Sequence, residues 1–188
     1  MVLLAAFFLA LALSVDSLVV STANAFRSKM TYRRGVLMAV VFAFFQSAFP
    51  LLGALLGIAF KDVVSAVDHW VAFGLLFIVG GKMIVDAIRG GADERQMDTS
   101  RFGVLCLLGV ATSIDAFVVG IGLGLDSGWN QIIVDIVVIY IITFMASMLG
   151  VFLGKRNVPV PERVAGIFAG LVLIGLGTYT LIEHLFGL

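Results

Sequence analysis

Two apolar stretches of this chain, residues 2–23 and 102–124, each carry a single charged side chain, and in both it is an aspartate. The surroundings match as well: Leu13-Ser14-Val15-Asp16-Ser17-Leu18-Val19-Val20 stands against Thr112-Ser113-Ile114-Asp115-Ala116-Phe117-Val118-Val119. A bilayer is crossed by about 20 apolar helical residues, so both stretches are long enough to span. A carboxylate near the middle of such a helix costs roughly 2.5–3.5 kcal/mol on insertion scales. Two of them, repeated in the two halves of one chain, require a compensating charge, and a bound cation is the simplest one.

Composition agrees on the solvent. Of 188 residues, 61% are hydrophobic and 13% charged, with a mean hydropathy of +1.14, which makes this an all-α integral membrane protein. Six apolar segments can be laid down, near residues 2–23, 35–60, 69–88, 102–124, 131–154 and 163–185. Formal net charge is zero, and no basic patch faces a nucleic acid, so the informative charge is local. One cysteine, Cys106, excludes an internal disulfide and a thiolate cluster, and it is read as a small packing residue. Ala23-Asn24-Ala25 has the form of a signal-peptidase site, but no Lys or Arg precedes the apolar run. The run is also longer than the roughly 7–15 residues of a signal core, and Asp16 interrupts it, so cleavage is not expected.

Basic residues alternate between the loops. Arg27, Lys29, Arg33 and Arg34 lie in the first, Arg89, Arg95 and Arg101 in the third, and Lys155, Arg156 and Arg163 in the fifth. The second has only Lys61 and the fourth has none. The positive-inside rule then places loops one, three and five in the cytoplasm and both termini outside.

The repeat extends beyond the aspartates. Leu51-Leu52-Gly53-Ala54-Leu55-Leu56-Gly57 answers Met148-Leu149-Gly150-Val151-Phe152-Leu153-Gly154, and Gly74-Leu75-Leu76-Phe77-Ile78 answers Gly170-Leu171-Val172-Leu173-Ile174. The chain therefore reads as residues 1–88, a first three-helix repeat, a cytoplasmic linker at 89–101, and a second three-helix repeat at 102–188. Three crossings is an odd number, so the second copy enters from the opposite side. Six transmembrane helices in two inverted repeats are an architecture of secondary transporters, and their substrate sits near the midplane between the repeats. Pairs four apart, Gly53 and Gly57, Gly150 and Gly154, Gly166 and Gly170, let neighbouring backbones approach closely.

At 1.5 Å per residue, Asp16 falls about 4–5 Å to the cytoplasmic side of the midplane and Asp115 about 3 Å to the outer side. Two-fold symmetry in the membrane plane would bring them together. Two carboxylates balance a divalent cation. Without it they cannot both stay charged cheaply, so metal binding would release a proton and couple the two movements. Ser14 and Ser113 stand two residues before each aspartate, roughly 200° around an unbroken helix. Either the helix unwinds there and offers hydroxyl or carbonyl oxygens, or each serine bonds back to its own helix, which is the default for such a residue. Thr112 shares the face of Asp115 and is the better ligand by spacing. Asn24, two turns below Asp16, is a pathway residue or a helix-end cap. Gln46 and Thr143, in equivalent places of the repeat, would complete an oxygen shell or serve as interhelical partners. Lys82 and Asp86 are read as a pair, and Asp135, His69, Glu183 and His184 as solvated groups near the outer interface. An all-oxygen neighbourhood suits hard cations such as Mn, Mg or Ca over Cu(I), Zn or Cd.

The Ser-x-Asp motif at 14–16, Phe45-Gln46 before Pro50-Leu51-Leu52-Gly53, His69-Trp70-Val71-Ala72-Phe73 leading to Gly80-Gly81-Lys82-Met83-Ile84, and Ala111-Thr112-Ser113-Ile114-Asp115-Ala116 with Gly120-Ile121-Gly122-Leu123 resemble the MntP-type manganese efflux pumps of the LysE transporter superfamily. The resemblance covers essentially the whole chain. It implies an exporter of excess Mn2+ in a prokaryotic inner membrane, with the two motif aspartates at the metal, manganese as cargo and no resident cofactor, and no enzymatic activity. One departure stands out: Asp16-Ser17-Leu18 replaces the Asp-Ala-Phe expected of the family, to which Asp115-Ala116-Phe117 conforms. Two rival readings are an exporter of another cation, cadmium or a cationic amino acid, and an intramembrane aspartyl protease. The protease is expected to carry Gly-x-Gly-Asp, which neither Val15-Asp16 nor Ile114-Asp115 provides.

Overall fold

The computed structural model describes residues 2–27, 30–64, 68–89, 102–156, 158 and 162–186. Among these every regular element is helical: α1 (Val2–Arg27), α2 (Tyr32–Val64), α3 (Asp68–Arg89), α4 (Phe102–Ala111), α5 (Ile114–Asp126), α6 (Trp129–Lys155) and α7 (Glu162–Phe186). Five of the six expected segments appear as single helices. The fourth is two, because the chain breaks at Thr112-Ser113 and turns by 47° between α4 and α5. Nearly all of the linker expected at 89–101 lies outside the described residues.

Three helices, α1, α2 and α6, are long and apolar enough to cross a membrane, and α4 with α5 adds a fourth if the bent pair is one span. The two remaining long helices contain shorter apolar stretches, Phe73–Lys82 in α3 and Ile167–Tyr179 in α7. The surface is apolar: Leu4, Phe44, Leu52, Ile78, Leu107 and Leu171 are among many large side chains left exposed. The interior holds the polar ones, including Ser17, Ser21, Gln46, Ser113, Thr143 and Ser147. A protein in water has the reverse arrangement, so the distribution is that of a multi-pass membrane protein.

Glycines set the helix directions. Gly53 and Gly57 of α2 lie against Phe117 and Ile121 of α5, while Gly150 and Gly154 of α6 lie against Leu18 and Thr22 of α1. Both pairs advance together along their two helices, so α2 runs parallel to α5 and α1 parallel to α6. In contrast Gly80 meets Gly170 while Gly177 meets Leu76 and Phe73, which makes α3 and α7 antiparallel. Consequently the ends joined by loops one, three and five share one side of the molecule, and those of loops two and four the other. Lys155 at the end of α6 reaches the α1–α2 loop, donating to the Met30 carbonyl at 3.0 Å and lying 3.5 Å over the Tyr32 ring.

α1 lies along α6, α2 along α5 and α3 along α7, with further contacts of α2 with α6, α3 with α5, and α1 with α7. Exchanging α1 for α4–α5, α2 for α6 and α3 for α7 turns this set of pairs into itself. The core falls into two clusters, one around Leu13, Val119, Ile139 and Leu173, the other around Met38, Phe42 and Val151, against which Cys106 packs half-buried.

The reciprocal contacts of Gly120 with Pro50 and Gly124 with Ala54 close the α2–α5 interface backbone to backbone. A methyl at Gly124 would meet the Ala54 carbonyl, whereas one at Gly175 would meet open space. Gly124→Ala should therefore destabilise the detergent-solubilised protein by about 1–3 kcal/mol through overpacking. Gly175→Ala should leave stability unchanged or raise it by up to about 1 kcal/mol from helix propensity. Thermal unfolding of both variants checks the contrast.

Candidate metal site

The break in the fourth segment builds one half of the site. Ser113 has φ −109° and ψ 4°, outside the helical range, and precedes the first turn of α5, which contains Asp115. The Asp115 carboxylate accepts hydrogen bonds from its own N–H and from that of Ala116, groups that an uninterrupted helix would give to the Ala111 and Thr112 carbonyls. The N-terminal end of α5 carries partial positive charge, which favours an anion there. The second oxygen, Oδ2, is buried with no hydrogen-bond partner. Aimed inward and unsatisfied, it is the feature of the site that most plainly awaits a ligand.

Asp16 supplies the other carboxylate from α1, half-buried, and its charge acts on Asp115. The two aspartates, one from each half of the chain, are near enough for one charge to act on the other. The surrounding helix is not symmetric: α1 runs unbroken through Asp16. Both serines bond back to their own helix, but only Ser113 does so at a break. Ser14 bonds back to the Leu11 carbonyl at 2.9 Å within a continuous helix. Ser113 sits at a break and its hydroxyl faces two acceptors, Gly109 O at 2.7 Å and Gln46 Oε1 at 2.9 Å, although it has one proton to give.

Gln46 ties the halves together. It is fully buried, its Nε2 donates to the Leu13 carbonyl of α1 at 2.7 Å, and its Oε1 receives Ser113. The opposite amide orientation would set two acceptors, Oε1 and the Leu13 carbonyl, against each other, so the network fixes this one. Pro50 lies four residues on in the same helix and lacks an N–H, so the Gln46 carbonyl also loses its helical donor. The missing donor was readable from Gln46-Ser47-Ala48-Phe49-Pro50 by spacing alone, yet the carbonyl was not anticipated.

The other expected ligands are spread around this centre. Thr112 ends α4, donating to Leu108 O at 3.0 Å with Gly109 O at 3.2 Å; the break before α5 means that its three-residue spacing to Asp115 no longer defines one helical face. Asn24 donates to the Val20 carbonyl at 2.9 Å, toward the end of α1. Thr143, the repeat equivalent of Gln46, is buried but its hydroxyl has no partner. Lys82, expected to pair within its own helix, acts electrostatically on Asp115 from α3; the Asp86 side chain lies outside those described, as do those of His69, Glu183 and His184. Asp135, expected at a wet interface, is instead 2% exposed, because it shares the inward face of α6 with Ile132, Ile139 and Thr143. Among the described residues no group of three or more His, Cys, Asp or Glu could hold a metal. A cation here would rest on two carboxylates and neutral oxygens, a donor set that fits a hard divalent ion.

Comparison with known proteins decides the family. A family profile described as "Putative manganese efflux pump" matches residues 29–181. The chain belongs to the MntP family. It is 39% identical over 178 residues to a Wolinella succinogenes protein named "Putative manganese efflux pump MntP 1", covering 95% of this chain and 96% of that one. MntP relatives from Gloeothece citriformis and Ruminiclostridium cellulolyticum, with the same printed function, are 37% and 39% identical over 179 and 183 residues. Each alignment covers 95% of this chain and 94% of the relative. No solved structure matches.

The Gln46–Ser113 bond couples α2 to the break of this MntP-family chain. In a double-mutant cycle of Gln46→Leu and Ser113→Ala, followed by unfolding in detergent, the two substitutions should be non-additive by about 0.5–1.5 kcal/mol, the net worth of one buried hydrogen bond. Simple additivity would mean that the contact contributes nothing.

Proposed function

We propose that this chain is a secondary transporter that exports Mn2+ across a prokaryotic inner membrane, coupled to protons, through a central site between the Asp16 and Asp115 motifs. The observation that carries the reading is the buried, unpartnered Oδ2 of Asp115 in a site whose second carboxylate comes from the matching motif on α1. Family membership supplies manganese as the cargo, since the relatives bear that ion in their names. Asp16 and Asp115 provide the two charges. Gln46, Ser113, Ser14 and Thr112 provide neutral oxygens at or beside them, and Asn24 lines the approach from the end of α1. The metal displaces protons from the pair when it binds, which links export to proton movement.

The proposed architecture is six spans in two inverted repeats, with α4 and α5 forming one broken span. Three observations support it: the opposite directions of the first and fourth spans, the packing pattern that survives exchange of the two halves, and the shared side of loops one, three and five. Discontinuous helices whose N-terminal ends face the substrate are a recurrent device of such transporters. Basic residues on the odd-numbered loops orient that side to the cytoplasm.

Replacing either aspartate by Asn keeps size and hydrogen bonding but leaves a loaded site with one positive charge in excess, a severe penalty in a low-dielectric interior. Asp16→Asn and Asp115→Asn should each insert and fold, yet cells bearing them should accumulate Mn2+ to the level of cells without the protein. Vesicles containing the unaltered protein should move Mn2+ in preference to Zn2+ or Cu(I). Normal export by both variants would refute the central site.

Orientation is tested separately. In a Cys106→Ser background, Arg33→Cys, Arg95→Cys and Arg156→Cys should be protected from an impermeant thiol reagent added outside intact cells, while Ser127→Cys reacts. The reverse pattern would invert the topology.

A further inference from the structure

The two repeats are not chemically equivalent at their long interfaces. Along α1 and α6 the buried hydroxyls of Ser17, Ser21, Thr143 and Ser147 and the Oδ2 of Asp135 all lack hydrogen-bond partners. Offsets of 99 residues between α1 and α5 and 97 between α2 and α6 align these positions with Ala116, Gly120, Gln46, Pro50 and Met38 in the other half. Among those five positions the only polar side chain is Gln46, and both of its ends are bonded. Met38, in the place of Asp135, is fully buried, so the fold itself has no need of a carboxylate at that position. Unpaired polar groups inside a membrane bundle are costly and mark ion pathways. Five of them on a single helix pair are therefore not a packing accident.

We propose that the α1–α6 interface is a proton pathway and that Asp135 is its proton-binding residue, separate from the metal-binding pair. This rests on the reading of the chain as a proton-coupled manganese exporter. Two further facts favour a proton over a second divalent ion. Among the described residues Asp135 is a lone carboxylate on its face of α6, matched to one positive charge, and the unpartnered groups that follow it on that face, from Thr143 about 12 Å along the helix, are hydroxyls, which both accept and donate. Among the described residues no charged group acts on it: Asp16 on α1, Arg33 and Arg34 on α2, and Asp115 and Asp126 on α5 contribute none. The row is interrupted by Ile139, fully buried one turn from Asp135. Ser147 lies about 18 Å along α6 from Asp135 at 1.5 Å per residue, and with Ser17 and Ser21 it brings the hydroxyls past the level of Asp16. A proton taken up at Asp135 therefore reaches the centre only when α6 shifts against α1, which ties its passage to the conformational cycle.

The test uses the purified full-length protein in vesicles, with Mn2+ and lumenal pH followed by dyes. The unaltered protein should accumulate Mn2+ against its gradient when a pH gradient is imposed, and should exchange Mn2+ for Mn2+ without one. Asp135→Asn should keep Mn2+ binding and Mn2+ exchange, which also shows that it is folded, but should lose pH-driven accumulation and Mn2+-dependent proton flux. Asp135→Glu should restore both. If Asp135→Asn accumulates Mn2+ like the unaltered protein, or if a sodium gradient drives the Asp135-dependent flux in place of a pH gradient, the assignment is wrong. If the unaltered protein moves no Mn2+, the functional reading itself fails, a result distinct from either.

Discussion

Lipid offers no hydrogen bonds, and the rest of this structure follows from that. Polar groups have to be satisfied within the bundle or paired with something that enters it. Apolar attraction cannot hold the helices together in a solvent as apolar as they are, so close packing of small residues does. Gly53, Gly57, Gly120 and Gly124 at one interface, and Gly150 and Gly154 at the other, bring backbones into direct contact. With the helices fixed at such short range, a single glutamine can span from α1 to the break before α5.

That bridge pairs polar groups of three segments at the centre. Gln46 occupies one α1 carbonyl and one hydroxyl at the break, and thereby positions the two aspartate motifs relative to each other. Among the groups left unsatisfied is Oδ2 of Asp115, a carboxylate oxygen of the kind a hard cation binds best. Lys82 brings positive charge to bear on Asp115 from α3.

The apolar helical segments and the family were legible in the sequence because hydropathy and local motifs encode them directly. The break at Thr112-Ser113 was not. Both flanks are apolar, and a serine that bonds back to its own helix looks the same in sequence as one beside an unwound turn. Ser14 and Ser113 both bond back to their own helix from nearly the same local motif, and tertiary contact with Gln46 distinguishes Ser113. Asp135 was misplaced for a related reason: proximity to a helix end suggested solvent, whereas the spacing of Ile132, Asp135, Ile139 and Thr143 pointed inward. The glycines of α5 were visible at 120 and 124, but that they face Pro50 and Ala54 needed three dimensions.

The continuity of α1 and the fracture of its counterpart make the two aspartates unequal in a way their sequences conceal. Asp115 rests at the start of a helix, where the aligned peptide dipoles and two backbone N–H groups help to hold its charge. Asp16 lies in the middle of a helix whose N–H groups are already committed along its length. The sequence presents the two as a matched couple, yet one is carried on a continuous rod and the other at the fracture of a broken one.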